Sequence, residues 1–361
     1  MKKVIKRLIP QSTWAVAQDL TPIDLPREGL ITEVTIRANI TATLAVTAYD
    51  DWFRRVIQNI KIQGDGGRAF LGMSGTQLST MLSLWQEIVL GTPTVHSNGA
   101  GIAGAAPDFG STAFISVFKF HPGSNPKDPF DLTAVIPAKD LSTLQLILTT
   151  TAAAVVDTGG AAITAGSFNY EICEVLLEPG DALAQKGAVV MTPVGSTLGY
   201  AHTANYSDFS YQIDVPAGAF LRSILWRSLD DTGALIGRRK DDEVTGIKLW
   251  LPKTGEVVFE QSIYGIKQTM MARFGCHGIA GDVGPIGAIA TTRPAPMALL
   301  DMVPAGFAVI DLRAFANPLY GLDMRAFQTG DFKLGLTIEN YAAGDNSTFY
   351  WDQLIPVALK N

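Results

Sequence analysis

The chain has 361 residues, 47% of them hydrophobic and 17% charged, with a net charge of −6 and a mean hydropathy of +0.20. That length exceeds one ordinary core and suits two domains, and the lack of a basic field disfavours nucleic acid as the main partner. Two cysteines, Cys173 and Cys276, exclude a disulfide framework, and no apolar run reaches the ~18 residues of a membrane-spanning helix.

The N-terminal residues 1–10 open like a signal peptide, but Lys6 and Arg7 occupy the place of the apolar stretch, so secretion through a cleaved signal is rejected. Lys2, Lys3, Lys6 and Arg7 alternate with Val4, Ile5, Leu8 and Ile9 before Pro10. Two readings stand side by side: a short amphipathic helix resting on an anionic lipid surface, and a frayed terminus with solubilising charge.

From Ile23 onward the pattern is that of strands. Val34 and Ile36, Ile60 and Ile62, and Leu144, Leu146 and Leu148 recur at period two, the mark of half-buried strands. Turn chemistry separates them at 64–67, 121–126, 179–181 and 344–347, where Gly, Pro, Asn and Asp cluster. Helical spacing occurs once per half. Leu78, Met81, Leu82, Trp85 and Val89 follow Ser74-Gly75-Thr76, and Ile263, Ile266, Met270 and Phe274 follow Ser262. A long Gly/Ala/Pro-rich passage comes after each, over 91–112 and 275–296; it reads either as a variable surface loop or as a contact with a neighbouring subunit.

These elements occur twice, at an offset of about 190 residues, too long for a solenoid repeat. Ile23-Asp24-Leu25-Pro26 returns as Ile213-Asp214-Val215-Pro216, and the aliphatic run Leu30 to Arg37 as Phe220 to Arg227. Further blocks keep the order: Ile60-Lys61-Ile62 returns as Ile247-Lys248-Leu249, Phe70 as Phe259, and residues 144–149 as 332–337. The closing strands of the two halves read over 168–177 and 349–357. The expected division is an N-terminal basic segment over 1–12, a first domain over 13–186 and a second over 187–361. The fold class is all-β, two tandem sandwiches with a short helix in each.

No constellation reaches catalytic, cofactor-binding or metal-binding strength. Residues 99–104 spell GxGxxG, but no strand delivers the turn and no helix receives a pyrophosphate. Gly72-Met73-Ser74-Gly75 lacks the final glycine of a nucleophile elbow and reads instead as a helix N-cap. His96, His121, His202 and His277 have no partner at metal-ligand spacing. Cys276-His277 is an adjacent pair only. Glu171 and Glu174 lie at i, i+3 on a strand, which turns them to opposite faces. Asp230-Asp231 and Asp241-Asp242 flank Arg238-Arg239-Lys240 as loop charges, a solvated hairpin tip or an inter-subunit contact.

Two tandem all-β halves, each opening with a D-x-P strand and carrying one helix in the same slot, resemble the double jelly-roll major capsid proteins of tailless icosahedral viruses that enclose a membrane, the bacteriophage and adenovirus-type lineage. The likeness rests on this architecture and on segments such as residues 56–62 and 331–337, and it covers essentially the whole chain. It implies two eight-stranded jelly rolls per chain and a homotrimer with a pseudo-hexagonal outline. It also implies lateral contacts between trimers, contacts with other capsid proteins such as penton or minor proteins, and an N-terminal segment on the inner side, where Lys2, Lys3, Lys6 and Arg7 would face the membrane. The expected place is the virion capsid after synthesis in the host cytoplasm, with no enzymatic activity, no cofactor and no sequence-specific contact to nucleic acid. The rival from another class is a carbohydrate-binding or carbohydrate-active tandem sandwich using Trp52, Trp85, Trp226, Trp250 or Trp351 as stacking surfaces. A phage tail or spike component is the third reading.

Overall fold

The structure is a computed structural model that describes residues 3–43, 56–75, 77–78, 95–96, 111–125, 128, 130–152, 162–185, 187–229, 243–274 and 306–360. Among these, contacts separate two units, one holding residues 3–194 and 356–360 and the other residues 195–355.

The first half of the chain supplies β1 (Lys3–Thr13), β2 (Ile23–Asp24), β3 (Leu30–Thr43), β4 (Ile57–Gly64), β5 (Arg68–Met73), β6 (Val95–His96), β7 (Ser111–Phe120), β8 (Leu144–Thr150) and β9 (Ala162–Leu176). They form two antiparallel sheets, ordered β1-β9-β3-β7-β6 and β2-β8-β4-β5. Alternation puts Leu144, Leu146 and Leu148 of β8 in the core and their neighbours at its margin.

The second half supplies β10 (Val189–Ala201), β11 (Tyr206–Asp214), β12 (Phe220–Leu229), β13 (Val244–Leu251), β14 (Glu256–Ser262), α1 (Ile263–Phe274), β15 (Phe307–Asp311), β16 (Leu322–Asp323), β17 (Lys333–Ile338) and β18 (Asn346–Ala358). Its sheets run β10-β18-β12-β15 and β11-β17-β13-β14, with β16 pairing β12. The two strand orders correspond position by position: β1-β9-β3-β7 matches β10-β18-β12-β15, and β2-β8-β4-β5 matches β11-β17-β13-β14. Each half therefore has the eight strands of a jelly roll, with short β6 and β16 as additions. The repeated sequence blocks fall on these equivalent strands.

The paired helices also share a device. Ser74 Oγ accepts from the Gln77 N–H at 3.1 Å while Gln77 Oε1 accepts from the Ser74 N–H at 2.9 Å, a reciprocal capping box. Ser262 Oγ accepts from the Gly265 N–H at 3.1 Å at the start of α1, whose Ile263, Ile266 and Met270 are buried. Of the first helix, residues 75, 77 and 78 are described as helical; Met81, Leu82, Trp85 and Val89 lie outside the described residues.

One expectation is corrected. Residues 3–13 are neither an amphipathic helix nor a frayed end but an edge strand, registered on β9 from Lys3↔Leu176 to Thr13↔Ser167. The register shifts between Ile9 and Ser12, where Pro10 has no N–H to donate; an edge strand and an irregularity are where a proline is tolerated. Local sequence permits either reading, and the ladder offered by β9, remote in sequence, overrides both.

Candidate functional site

Strand geometry sorts the basic N-terminal residues onto two faces of the first sheet. Ile5, Arg7 and Ile9 share one face, Lys6 and Leu8 the other. Lys6 Nζ meets Glu171 Oε1 at 3.2 Å, and Glu171 Oε2 also accepts from Arg37 Nη2 at 3.4 Å. The hydrogen bond and charge of Glu171 raise the Lys6 pKa above its ordinary value. Arg7 turns the other way. Its Nε donates to Glu174 Oε2 at 2.9 Å, and its Nη2 pairs with Glu28. Glu174 is fully buried and accepts, through Oε1, the N–H groups of Glu28 and Gly29 at 3.2 Å each. The i, i+3 reading of Glu171 and Glu174 holds, and each carboxylate takes a different base of β1.

Of the four expected membrane-facing residues, Lys6 and Arg7 lie on opposite faces of β1. Lys6 and Arg7 are ion-paired, Lys3 is exposed, and Lys2 lies outside the described residues. Leu8, on the Lys6 face, is 82% exposed.

The second unit contains charge pairs that no local motif announced. Arg222 and Asp352 are both buried and joined twice, and Ser223 Oγ donates to Asp352 Oδ2 at 3.3 Å. Arg313 grips Asp311 with Nε at 2.9 Å and Nη2 at 2.8 Å. His202 Nδ1 bonds to Glu243, whose other oxygen accepts from Ser228 Oγ at 3.2 Å, and Tyr211 stands edge-on to the imidazole at 5.5 Å. Arg222 and Asp352 lie on different strands and His202 and Glu243 are 41 positions apart, so sequence spacing could not pair them, whereas Asp311 and Arg313 are two positions apart. Arg222, Asp352 and Glu243 are engaged by protein contacts between segments remote in sequence, whereas His202 Nε2 is buried without a hydrogen-bond partner among the described residues. No group of three or more His, Cys, Asp or Glu suited to a metal occurs among the described residues.

Of the sequence motifs, Ser74 is the N-cap described above. Cys173 is a buried free thiol, and burial pushes its pKa up. Trp226 and Trp351 are fully buried and offer no stacking surface, whereas Trp250 is half-buried on β13. The GxGxxG run, Cys276-His277, the 230–231 and 238–242 charges, Trp52, Trp85 and the 275–296 passage lie outside the described residues, as does most of 91–112.

No family model matches the sequence, and comparison with curated proteins gives no match. Solved structures do match. The chain superposes on the STIV major capsid protein with a TM-score of 0.69 at 15% identity, covering 98% of this chain and 97% of that one. The Faustovirus major capsid protein matches with a TM-score of 0.58 at 7% identity, over 100% and 91% of the two chains. That of Bacteriophage PM2 gives 0.53 at 10%, over 99% and 98%. The fold is the double jelly roll of these proteins.

Proposed function

We propose that the chain is a major capsid protein, three copies of which form a trimer of pseudo-hexagonal outline that tiles an icosahedral shell around an internal membrane. The observation that carries this reading is the near-complete, end-to-end match to the STIV major capsid protein, together with a strand order repeated exactly twice per chain. Two like sandwiches in each of three chains present six like modules, so a trimer can occupy sixfold positions. The surplus of apolar residues fits a chain that buries surface between copies. Other capsid proteins are its further partners, the virion its place, and the host cytoplasm its place of synthesis, which agrees with the free thiol of Cys173.

We place the domain boundary near 186/187, just ahead of β10, and count β1 with the first sandwich because it is the counterpart of β10. The N-terminal segment faces the inner membrane in this reading. Leu8, 82% exposed on the Lys6 face of β1, is the apolar residue that supports it, while Lys6 and Arg7 are engaged by carboxylates.

Purified protein run on a sizing column with light scattering should give a trimer of 38.6 kDa chains or larger shells, and negative-stain micrographs should show six-sided capsomers. A stable monomer that binds glycans would overturn the proposal in favour of the carbohydrate reading. For the inner face, co-sedimentation with vesicles containing anionic phospholipid should exceed that with neutral vesicles and fall in L8E; equal binding by both proteins rejects the membrane contact.

A further inference from the structure

Residues 356–360 follow the main span of β18 in sequence, yet they belong to the first unit. Leu359 is 3% exposed and completes an apolar cluster with Leu30, Val135 and Val190. Its N–H donates to the Ala188 carbonyl at 2.8 Å. Lys360 is held from both sides: its N–H donates to Asp140 Oδ2 at 2.9 Å, its Nζ to the Asp140 carbonyl at 3.3 Å, and Lys139 Nζ donates to the Lys360 carbonyl at 2.5 Å.

One aliphatic anchor flanked by backbone and charge-assisted hydrogen bonds is the pattern of a docked extended peptide. Leu30 begins β3, Val135 sits in the connection between β7 and β8, and Val190 is the second residue of β10. Three segments remote from one another in sequence therefore meet on a fourth that the ribosome delivers after residues 195–355. Leu132, Leu177, Leu183 and Ala188 pack around this cluster, and leaving the place of Leu359 empty removes the buried side chain that completes it.

We propose that residues 356–360 are a folding latch: the first unit closes its core only after this segment, made later than the whole of the second unit, has docked. Domains emerge from synthesis N-terminal end first, so the first unit waits with an open seat until the latch arrives. The seat recognises an extended strand carrying leucine followed by lysine. Removal of the segment then acts on the first unit, not on the second unit's strands that precede it in sequence.

Hydrogen exchange followed by mass spectrometry tests this on the full chain. In L359A, amides around Leu30, Val135 and Val190 should exchange at least about thirtyfold faster, the range expected when a buried leucine is truncated, while β13 and β17 keep their protection. In a chain lacking residues 356–361, the same amides should lose protection and regain it when the peptide of residues 356–361 is added, but not when that peptide carries L359D. Unchanged exchange around Leu30 in L359A overturns the latch, as does loss confined to the second unit or full protection in the shortened chain without peptide. Should the shortened chain aggregate, L359A alone decides.

Discussion

Arg222 on β12 and Asp352 on β18 hold each other through two parallel hydrogen bonds, Nε to Oδ2 at 2.7 Å and Nη2 to Oδ1 at 3.1 Å, with 2% and 4% of their side chains exposed. Both charges have left water, and the pair is tolerable only because each answers the other. D352N removes the carboxylate charge that both guanidinium bonds reach and should cost about 3–5 kcal/mol, read from the denaturant midpoint at constant slope. The double variant R222M/D352L removes both charges together and should recover most of that loss. A cost below about 1 kcal/mol for D352N would show that the pair is not closed to solvent.

His121, immediately after β7, is 5% exposed. Burial holds its pKa below the ordinary 6.5, against the pull of the Asp131 and Glu33 carboxylates and with the help of Lys119. As the pH falls through about 6.5, the unfolded chain takes up this proton before the folded chain does. Stability from this group is therefore full above that pH and declines below it. H121Q should flatten the slope of unfolding free energy between pH 7 and pH 5; an unchanged slope would assign the acid sensitivity elsewhere.

Cys173 is 3% exposed, and burial raises its thiol pKa. Reactivity follows the accessible thiolate. In a C276S background, a thiol reagent should label the native protein negligibly and reach one equivalent only in denaturant. Rapid native labelling would mean that β9 opens locally.

Gly321 and Gly255 both adopt positive φ, +77° and +73°. A Cβ at 321 would lie 2.3 Å from the Leu221 carbonyl oxygen and 2.7 Å from the Arg222 Cα, whereas one at 255 meets nothing within 4 Å. G255A therefore carries only the left-handed backbone cost, about 1–2 kcal/mol. G321A adds a clash with β12 backbone, which cannot swing aside, and should lose about 1–3 kcal/mol more by thermal or chemical denaturation. Equal losses in the two variants would remove the packing argument.

Much of the architecture was legible because it is written locally and written twice. Period-two alternation in residues 144–148, turn residues at 64–67 and the Ser74 and Ser262 helix starts each depend on neighbours a few positions away. Duplication then reinforced every local signal with a second copy, and blocks such as 23–26 with 213–216 fall on the equivalent strands β2 and β11. The N-terminal segment shows where this stops. Its charges and aliphatics suited a helix on lipid, and nothing within residues 1–13 reveals that Glu171 and Glu174 wait on a strand across the sheet. The buried pairs Arg222 with Asp352 and His202 with Glu243 were hidden for the same reason.

Period, turn chemistry and repetition determined the class and the number of sandwiches, since those follow from steric and hydrophobic preferences of short segments, whereas the order of strands within each sheet came from the tertiary structure. Only the tertiary structure decided which charges are neutralised, which tryptophans are core, and that Leu359 closes the first unit. Those outcomes depend mostly on contacts between residues far apart in the chain, such as Arg222 with Asp352 and Leu359 with Leu30, whose pairing free energy has no local signature.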